Sequence, residues 1–214
     1  MAAEKARWRE RFRAERRALP PERRAAASAE VARRLAVLVG ERLRRQPGGA
    51  VALFWPLPGE VDLRGLAEAL RRDGVPVALP AVVGESEVGA SPRELVWRLF
   101  EGADQLADGP WGLSEPAASA PAAAPDGLAV VVVPGLAFGH DGSRLGMGGG
   151  FYDAALAQTP ALRVGVAFAP ALVDTVPVEP HDQLVDAVVT EAGVVWTGAR
   201  GTSGARPARN TRPG

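Results

Sequence analysis

The chain has 214 residues, a mass of 22.3 kDa and no net charge, with 47% hydrophobic and only 6% aromatic residues. That is enough for one α/β-sized domain with a core built mainly of Val, Leu and Ala, and the absence of cysteine excludes a disulfide framework, a thiolate metal site and a cysteine nucleophile. The opening MAAEKARWRERFRAERR has no apolar centre and no segment forms a long uninterrupted apolar run, so neither a secretory signal nor a membrane span is expected and a cytoplasmic protein is.

Charge is unevenly placed. Residues 1–45 carry 14 Lys and Arg against 6 acids, residues 198–214 carry 4 against none, and the middle carries 7 against 19. A basic arm of this kind either meets nucleic acid or polyphosphate, or forms a solvated helical face that also pairs with the acidic body. The second reading suits most of these arginines. Residues 4–18 and 21–46 read as helices parted by Pro20 and Pro21, and Val31, Leu35, Leu38, Val39 and Leu43 trace one buried stripe in the second. Gly48 and Gly49 end it. Ala50 to Trp55 reads as a strand covered on both faces, Leu63 to Leu70 as a helix and Val75 to Leu79 as a second strand, together a right-handed β-α-β unit.

Glu94 to Phe100 has strand character, whereas Asp108 to Gly127 shows no core pattern and is expected to be an exposed loop. Leu128 to Val133, LAVVVV, is the most apolar strand and is therefore placed at the centre of the sheet. A helix beginning at Tyr152, a strand over Leu162 to Phe168 and a terminal pair at Ala187 to Thr190 and Gly193 to Trp196 complete a single domain over 1–197. Residues 198–214 are too polar to pack and read as a disordered basic tail.

The segment Pro134 to Asp153, PGLAFGHDGSRLGMGGGFYD, holds seven glycines in twenty residues directly after the apolar strand. Glycine buries nothing and costs entropy, so such a run marks backbone that bends unusually or approaches a ligand closely, with a phosphate as the first suspect. It is not a Walker A loop, because no lysine lies between Gly139 and Gly150. Nor is it a dinucleotide fingerprint, since the glycine spacing fails and the segment is far from the first strand.

Gly142-Ser143-Arg144-Leu145-Gly146, Gly148-Gly149-Gly150 and Phe151-Tyr152-Asp153 instead resemble the G-x-R-L-G-x-G-x-G-x-Y-D signature of the 5-formyltetrahydrofolate cyclo-ligase family, also called methenyltetrahydrofolate synthetases. Three more pieces agree in order: KARWR at Lys5 to Arg9, PLPGEVD at Pro56 to Asp62 and VPVEPHDQLVD at Val176 to Asp186. The stretch Ala81 to Asp126 matches least, apart from Trp111-Gly112-Leu113 and Glu115-Pro116. The resemblance implies a three-layer α/β fold, a mostly parallel sheet with helices on both faces, similar to ribose-5-phosphate isomerase, glucosamine-phosphate deaminase and the CoA transferases. It also implies an ATP- and Mg2+-dependent ligase that phosphorylates the formyl oxygen of 5-formyltetrahydrofolate and closes the ring to 5,10-methenyltetrahydrofolate, an enzyme expected to be a monomer that takes these small molecules and not nucleic acid.

Roles carry over with that resemblance. Lys5, Arg9, Arg144, Leu145, Gly146, Met147, Gly148, Gly149, Gly150, Phe151 and Tyr152 would bind ATP, with Arg144 and Asp153 as the catalytic pair. Trp55, Glu60, Met147, Gly148, Gly149, Gly150 and Phe151 would bind the folate, and Asp153 and Asp182 the metal. Plainer alternatives are a basic solvated face for Lys5 and Arg9, an Arg144–Asp141 ion pair, a turn role for Glu60 after Pro58-Gly59, and first-turn stabilisation by Asp153. His140 and His181 receive no catalytic role. Gly149 stands where some members have lysine and Phe151 where tyrosine is common, which shifts phosphate charge onto Arg144 and the N-terminal pair. The competing functions are a non-catalytic paralogue that binds nucleotide or RNA, and a sugar-phosphate enzyme on the same fold.

Overall fold

A computed structural model describes residues 1–84 and 94–198; beyond Gly198, the expected disordered tail lies outside the described residues. Two helices open the chain, α1 (Ala2–Ala18) and α2 (Pro21–Arg45), with Pro21 at the first helical position, where its missing N–H costs nothing. Strand β1 (Ala50–Ala52), helix α3 (Arg64–Arg72) and strand β2 (Val77–Val83) form the β-α-β unit, and β3 (Glu94–Leu99) returns antiparallel to β2. After a hairpin of β4 (Leu106–Asp108) and β5 (Ser114–Pro116) comes β6 (Leu128–Pro134). The short β7 (Ala137–Gly139) and β8 (Arg144–Leu145) lead into α4 (Phe151–Ala157), then β9 (Leu162–Val166), β10 (Leu172–Val173), β11 (Ala187–Thr190) and β12 (Gly193–Trp196).

The main sheet has the order β12-β11-β9-β6-β1-β2-β3, with β11, β9, β6, β1 and β2 parallel and an antiparallel strand at each edge. The strand LAVVVV is the middle one, as its composition implies. From Val130 its residues alternate between two cores, Val130 and Val132 with α2 and α3 and Val131 and Val133 with α4; Ala129 joins Val130 in the first core, where the pairing with β1 shifts register. Helices therefore cover both faces, and α2 supplies Val31, Leu35, Leu38 and Val39 to the first core. Among the described residues no helix is long and apolar enough to cross a membrane.

Two boundaries differ from expectation for a physical reason. β1 ends at Ala52 although Leu53 still donates to Ala78 O, because Pro56 and Pro58 turn the chain out of the sheet. β2 runs through Pro80 because β1 pairs only with Val77 and Ala78; beyond them Pro80 has a ladder partner only in β3, so its missing N–H breaks nothing on the open side. The loop expected over Asp108 to Gly127 is largely exposed, yet it contributes β5, and Glu115 and Pro116 are buried.

A second, three-stranded sheet of β10, β7 and β8 rests on the end of β6 and is covered by α1, where Phe12 packs with Leu136, Ala137, Leu145 and Val176. Phe138 anchors it. Its fully buried ring lies on the bare backbones of Gly135 and Gly165, where a Cβ on Gly135 would stand 2.6 Å from the ring and one on Gly165 would overlap it. Phe138 also pairs with Arg144 in register, so this contact sets where Arg144 emerges. Gly165→Ala should lower unfolding stability by about 1–3 kcal/mol through overpacking, and adding Phe138→Leu should restore part of it. Denaturant unfolding of the two variants checks this; a Gly165→Ala protein as stable as wild type would show that the ring is free to move.

Candidate functional site

The parallel strands β1 and β6 end at one side of the sheet, where such folds open their clefts. There, Trp55 and Leu57 after β1, Pro134 and Gly135 at the end of β6, and the glycine loop enclose a cavity of about 600 Å³ roofed by α1. Every site residue named from the sequence lines this cavity, from Lys5 to Asp182. Leu145 does so by its backbone alone, because its side chain is buried in the core under α1.

The loop's geometry follows from local pairing. Asp141 accepts from Ser143 N at 3.0 Å and from Ser143 Oγ at 2.5 Å, and its other oxygen accepts from Thr175 Oγ1 at 2.7 Å. This tight turn leaves Asp141 no part in binding Arg144, so the Arg144–Asp141 pair offered as the plainer alternative does not form. Arg144 Nη2 donates instead to Asp153 Oδ1 at 2.7 Å, which also accepts from Gln183 N at 3.0 Å. Between them Gly148 and Gly150 adopt φ of 112° and 70°, left-handed backbone that a side chain would strain. The N–H groups of Gly148, Gly149 and Gly150 are exposed and donate to nothing among the described residues.

Helix α1 closes on this loop. Arg9 Nε donates to Gly146 O at 3.0 Å, and its guanidinium lies 3.5 Å from where a Cβ on Gly148 would be. Lys5 is buried and donates to Glu179 Oε2 at 2.8 Å and Asp182 Oδ2 at 2.6 Å. The four-residue spacing does put both bases on one face, but only Arg9 touches the glycine loop. Lys5 reaches across to the two carboxylates. Asp182 itself also accepts from Glu179 N at 2.7 Å, which fixes the turn that bears both acids.

On the opposite wall, Glu60 accepts from Leu57 N at 3.0 Å and Arg16 Nη1 at 3.4 Å. The turn role foreseen as its alternative is therefore realised, while the carboxyl still lines the cleft beside Trp55. Burial pushes the Glu60 carboxyl above its ordinary range, against the lowering effects of the Leu57 amide and Arg16. Tyr152 lies under the Arg144 guanidinium, 5.9 Å from Cζ to the ring centre, and packs edge-on against Trp97. Its phenol is raised well above its ordinary value by burial first and the Glu60 charge second, so it remains a proton donor.

Three buried side-chain polar atoms in this cleft have no hydrogen-bond partner among the described residues: Arg144 Nε, Tyr152 OH and Glu115 Oε1. Buried groups are normally satisfied, so a cluster of orphans in one cavity marks a place prepared for a ligand. Sequence reasoning missed the Glu115 carboxyl, the Tyr152 hydroxyl and the part played by Glu179. The only signal was that Glu115 and Glu179 fall inside motif-matching pieces.

Residues 1–191 match the model of the 5-formyltetrahydrofolate cyclo-ligase family. The chain is 33% identical to the 5-formyltetrahydrofolate cyclo-ligase of Mycolicibacterium smegmatis over 69% of its length and 77% of the relative's. It is 34% identical to the Escherichia coli K12 enzyme of the same name over 67% of its length and 79% of that enzyme's. The solved structure of Aquifex aeolicus 5,10-methenyltetrahydrofolate synthetase superposes with a TM-score of 0.75 at 28% identity, covering 97% of this chain and 99% of that one.

The Lys5 triad has a pH signature. Burial is the largest influence on Lys5 and would lower it, but hydrogen bonds to Asp182 and Glu179 with their charges raise it above its ordinary value. Burial would likewise raise Asp182, yet the Lys5 and Glu179 contacts hold it below its ordinary value; the Lys5 hydrogen bond lowers Glu179. Carboxylates depressed in the folded state contribute stability above their unfolded pKa and lose it as pH falls through the folded one. The stability gap between wild type and Lys5→Met should therefore be constant from about pH 7 to 5 and shrink below about pH 4. Urea unfolding over this range checks it, and a gap unchanged at low pH would contradict it.

Proposed function

The chain belongs to the 5-formyltetrahydrofolate cyclo-ligase family and is a ligase, and we propose that it closes 5-formyltetrahydrofolate to 5,10-methenyltetrahydrofolate in an ATP-dependent reaction within the cleft under α1. The observation that carries this reading is the convergence of Arg9, Arg144, the free Gly148–Gly150 amides and the buried Glu60 on one cavity. A formyl oxygen is a poor leaving group. In the proposed sequence it attacks the terminal phosphorus and ADP departs; the ten-position nitrogen then forms a bond to the formyl carbon and loses its proton. The carbon–oxygen bond breaks with its electrons going to phosphate.

The chain's own residues act by position and charge, which is chiefly what phosphoryl transfer requires. The glycine amides and the Arg144 fork would hold triphosphate oxygens, and Arg9 would close the loop over them. Glu60 and Trp55 would seat the folate ring on the apolar wall. The Tyr152 hydroxyl, kept protonated beside Arg144, would donate to an oxygen at the reacting end.

The donor set also fits a magnesium ion. The cleft is lined by the three strong bases Lys5, Arg9 and Arg144, with His181 and Tyr152, against the five carboxyls Glu60, Glu115, Asp153, Glu179 and Asp182, an excess of hard oxygen donors that repels a bare triphosphate. Mg2+ would supply the missing positive charge, held by Asp153 and Asp182 with the phosphates. Both carboxylates already hold a cationic side chain, Arg144 and Lys5 respectively.

Purified protein given 5-formyltetrahydrofolate and MgATP should develop methenyl absorbance, and a mixture lacking ATP should not. Protein that makes no ATP-dependent product defeats the reading. Arg144→Ala should lower kcat/KM for ATP by about a hundredfold, and Arg144→Lys should recover only part, since the charge returns without the fork. Arg144→Ala with wild-type kinetics would remove the phosphate assignment.

A further inference from the structure

Of the five carboxyls that line the cleft, four lie within 4 Å of a basic side chain: Glu60 by Arg16 at 3.4 Å, Asp153 by Arg144 at 2.7 Å, and Glu179 and Asp182 by Lys5. Glu115 does not. It is only 8% exposed, Oε2 accepts from Val82 N at 3.2 Å, and Oε1 has no partner among the described residues. An acceptor left unmatched in an apolar wall costs stability, of the order of 1–3 kcal/mol. Val82, Leu95 and Leu113 bring apolar side chains to the same wall, and the neighbouring Ser114 hydroxyl is not bonded to Oε1.

We propose that Glu115 is a specificity-determining residue of this cleft, whose Oε1 accepts a hydrogen bond from an N–H group on the edge of the bound heterocycle. The inference rests on the folate reading above and deepens it: the reduced pterin ring carries ring N–H groups and an exocyclic amine, whereas Glu60 already has both oxygens engaged by Leu57 and Arg16. Burial raises the Glu115 carboxyl above its ordinary range and the Val82 amide partly opposes this, so a ligand donor is what would hold it ionised.

A tight turn covers this carboxyl. A Cβ on Gly109 would stand 2.6 Å from Glu115 Cδ, so the turn from Gly109 to Leu113 rests directly on it and closes Oε1 from solvent. At its crest Trp111 holds φ of 57°, the sole non-glycine residue with positive φ among those described, with its ring 5.5 Å from Phe151 at the rim of the cleft. A bulky residue in this conformation stores strain of the order of 1 kcal/mol and persists only where its surroundings hold it, so Trp111 is fixed at the rim beside Glu115.

The test compares wild type, Glu115→Gln and Glu115→Leu by calorimetric titration with 5-formyltetrahydrofolate and by steady-state kinetics in both substrates. In Glu115→Gln the amide oxygen must accept from Val82 N–H, so the NH2 group takes the place of Oε1 and meets the ligand donor with another donor. Both variants should raise the folate Kd and KM about tenfold or more, leave KM for ATP within about twofold, and melt no lower than wild type. A folate KM within about twofold of wild type in Glu115→Gln overturns the proposal, as does loss of folding in both variants, which would assign Glu115 to the fold. Wild-type protein that takes up no folate overturns the underlying reading, and this proposal with it, and is recognised because it fails before any variant is compared.

Discussion

The arrangement depends on one buried ammonium. Lys5 bridges 174 and 177 residues of sequence to Glu179 and Asp182, and so ties the first helix to the last loop before β11. Most of the surface of α1 is charged, and among its residues only Lys5 and Phe12 are buried, with Trp8 packed beside Phe12 and Arg9 and Arg16 adding contacts at the cleft. Pairs of this kind gain little net stability, because desolvation offsets attraction, but they are intolerant of a missing partner and so act by fixing register. Phe12 supplies the apolar contact and Lys5 the orientation. With α1 set this way, Arg9 and Arg13 are carried one and two turns along the same helix to the carbonyls of Gly146 and Met147.

A second constraint sits beneath the glycine loop. Phe138 needs two bare backbones, Gly135 at the end of β6 and Gly165 in β9, and in return fixes the small sheet from which Arg144 projects. Arg144 then pairs with Asp153 only nine residues away, so the glycines between them are strung between two buried, rigid points. These glycines line the cleft, and their N–H groups have no acceptor among the described residues. A loop that looks slack in sequence is thus held open by what flanks it.

These points explain what was legible in the sequence. The apolar run at Leu128 to Val133 identified the central strand because burial on both faces leaves no polar positions, and the terminal pair at Ala187 to Trp196 was equally plain. The glycine segment suggested a ligand loop by its composition, but only Arg144 within it and Asp153 just after it separated it from the Walker and dinucleotide patterns. Partners were another matter. A local view pairs Arg144 with Asp141 three residues away, whereas the real partner was decided by Ser143 and Thr175 capturing Asp141 first. Lys5 looked like a phosphate contact because nothing in KARWR discloses two carboxylates arriving from the far end of the chain. The hairpin β4–β5 was hidden by its Pro, Gly and Ala content, and Glu115 with it.

Charge completes the logic of the cleft. Arg144 and Lys5 are each compensated by carboxylates, so neither presents a bare positive charge to an incoming ligand. A triphosphate that drew Arg144 off Asp153 would leave that carboxylate with only the Gln183 amide, in a place only 15% exposed, which is costly unless a cation replaces the guanidinium. In the proposed complex, phosphate and metal would therefore favour each other's binding, with Arg144 turned to the anion and Asp153 left to hold the cation. That exchange accounts for how a cleft with more acids than bases can serve an anionic nucleotide.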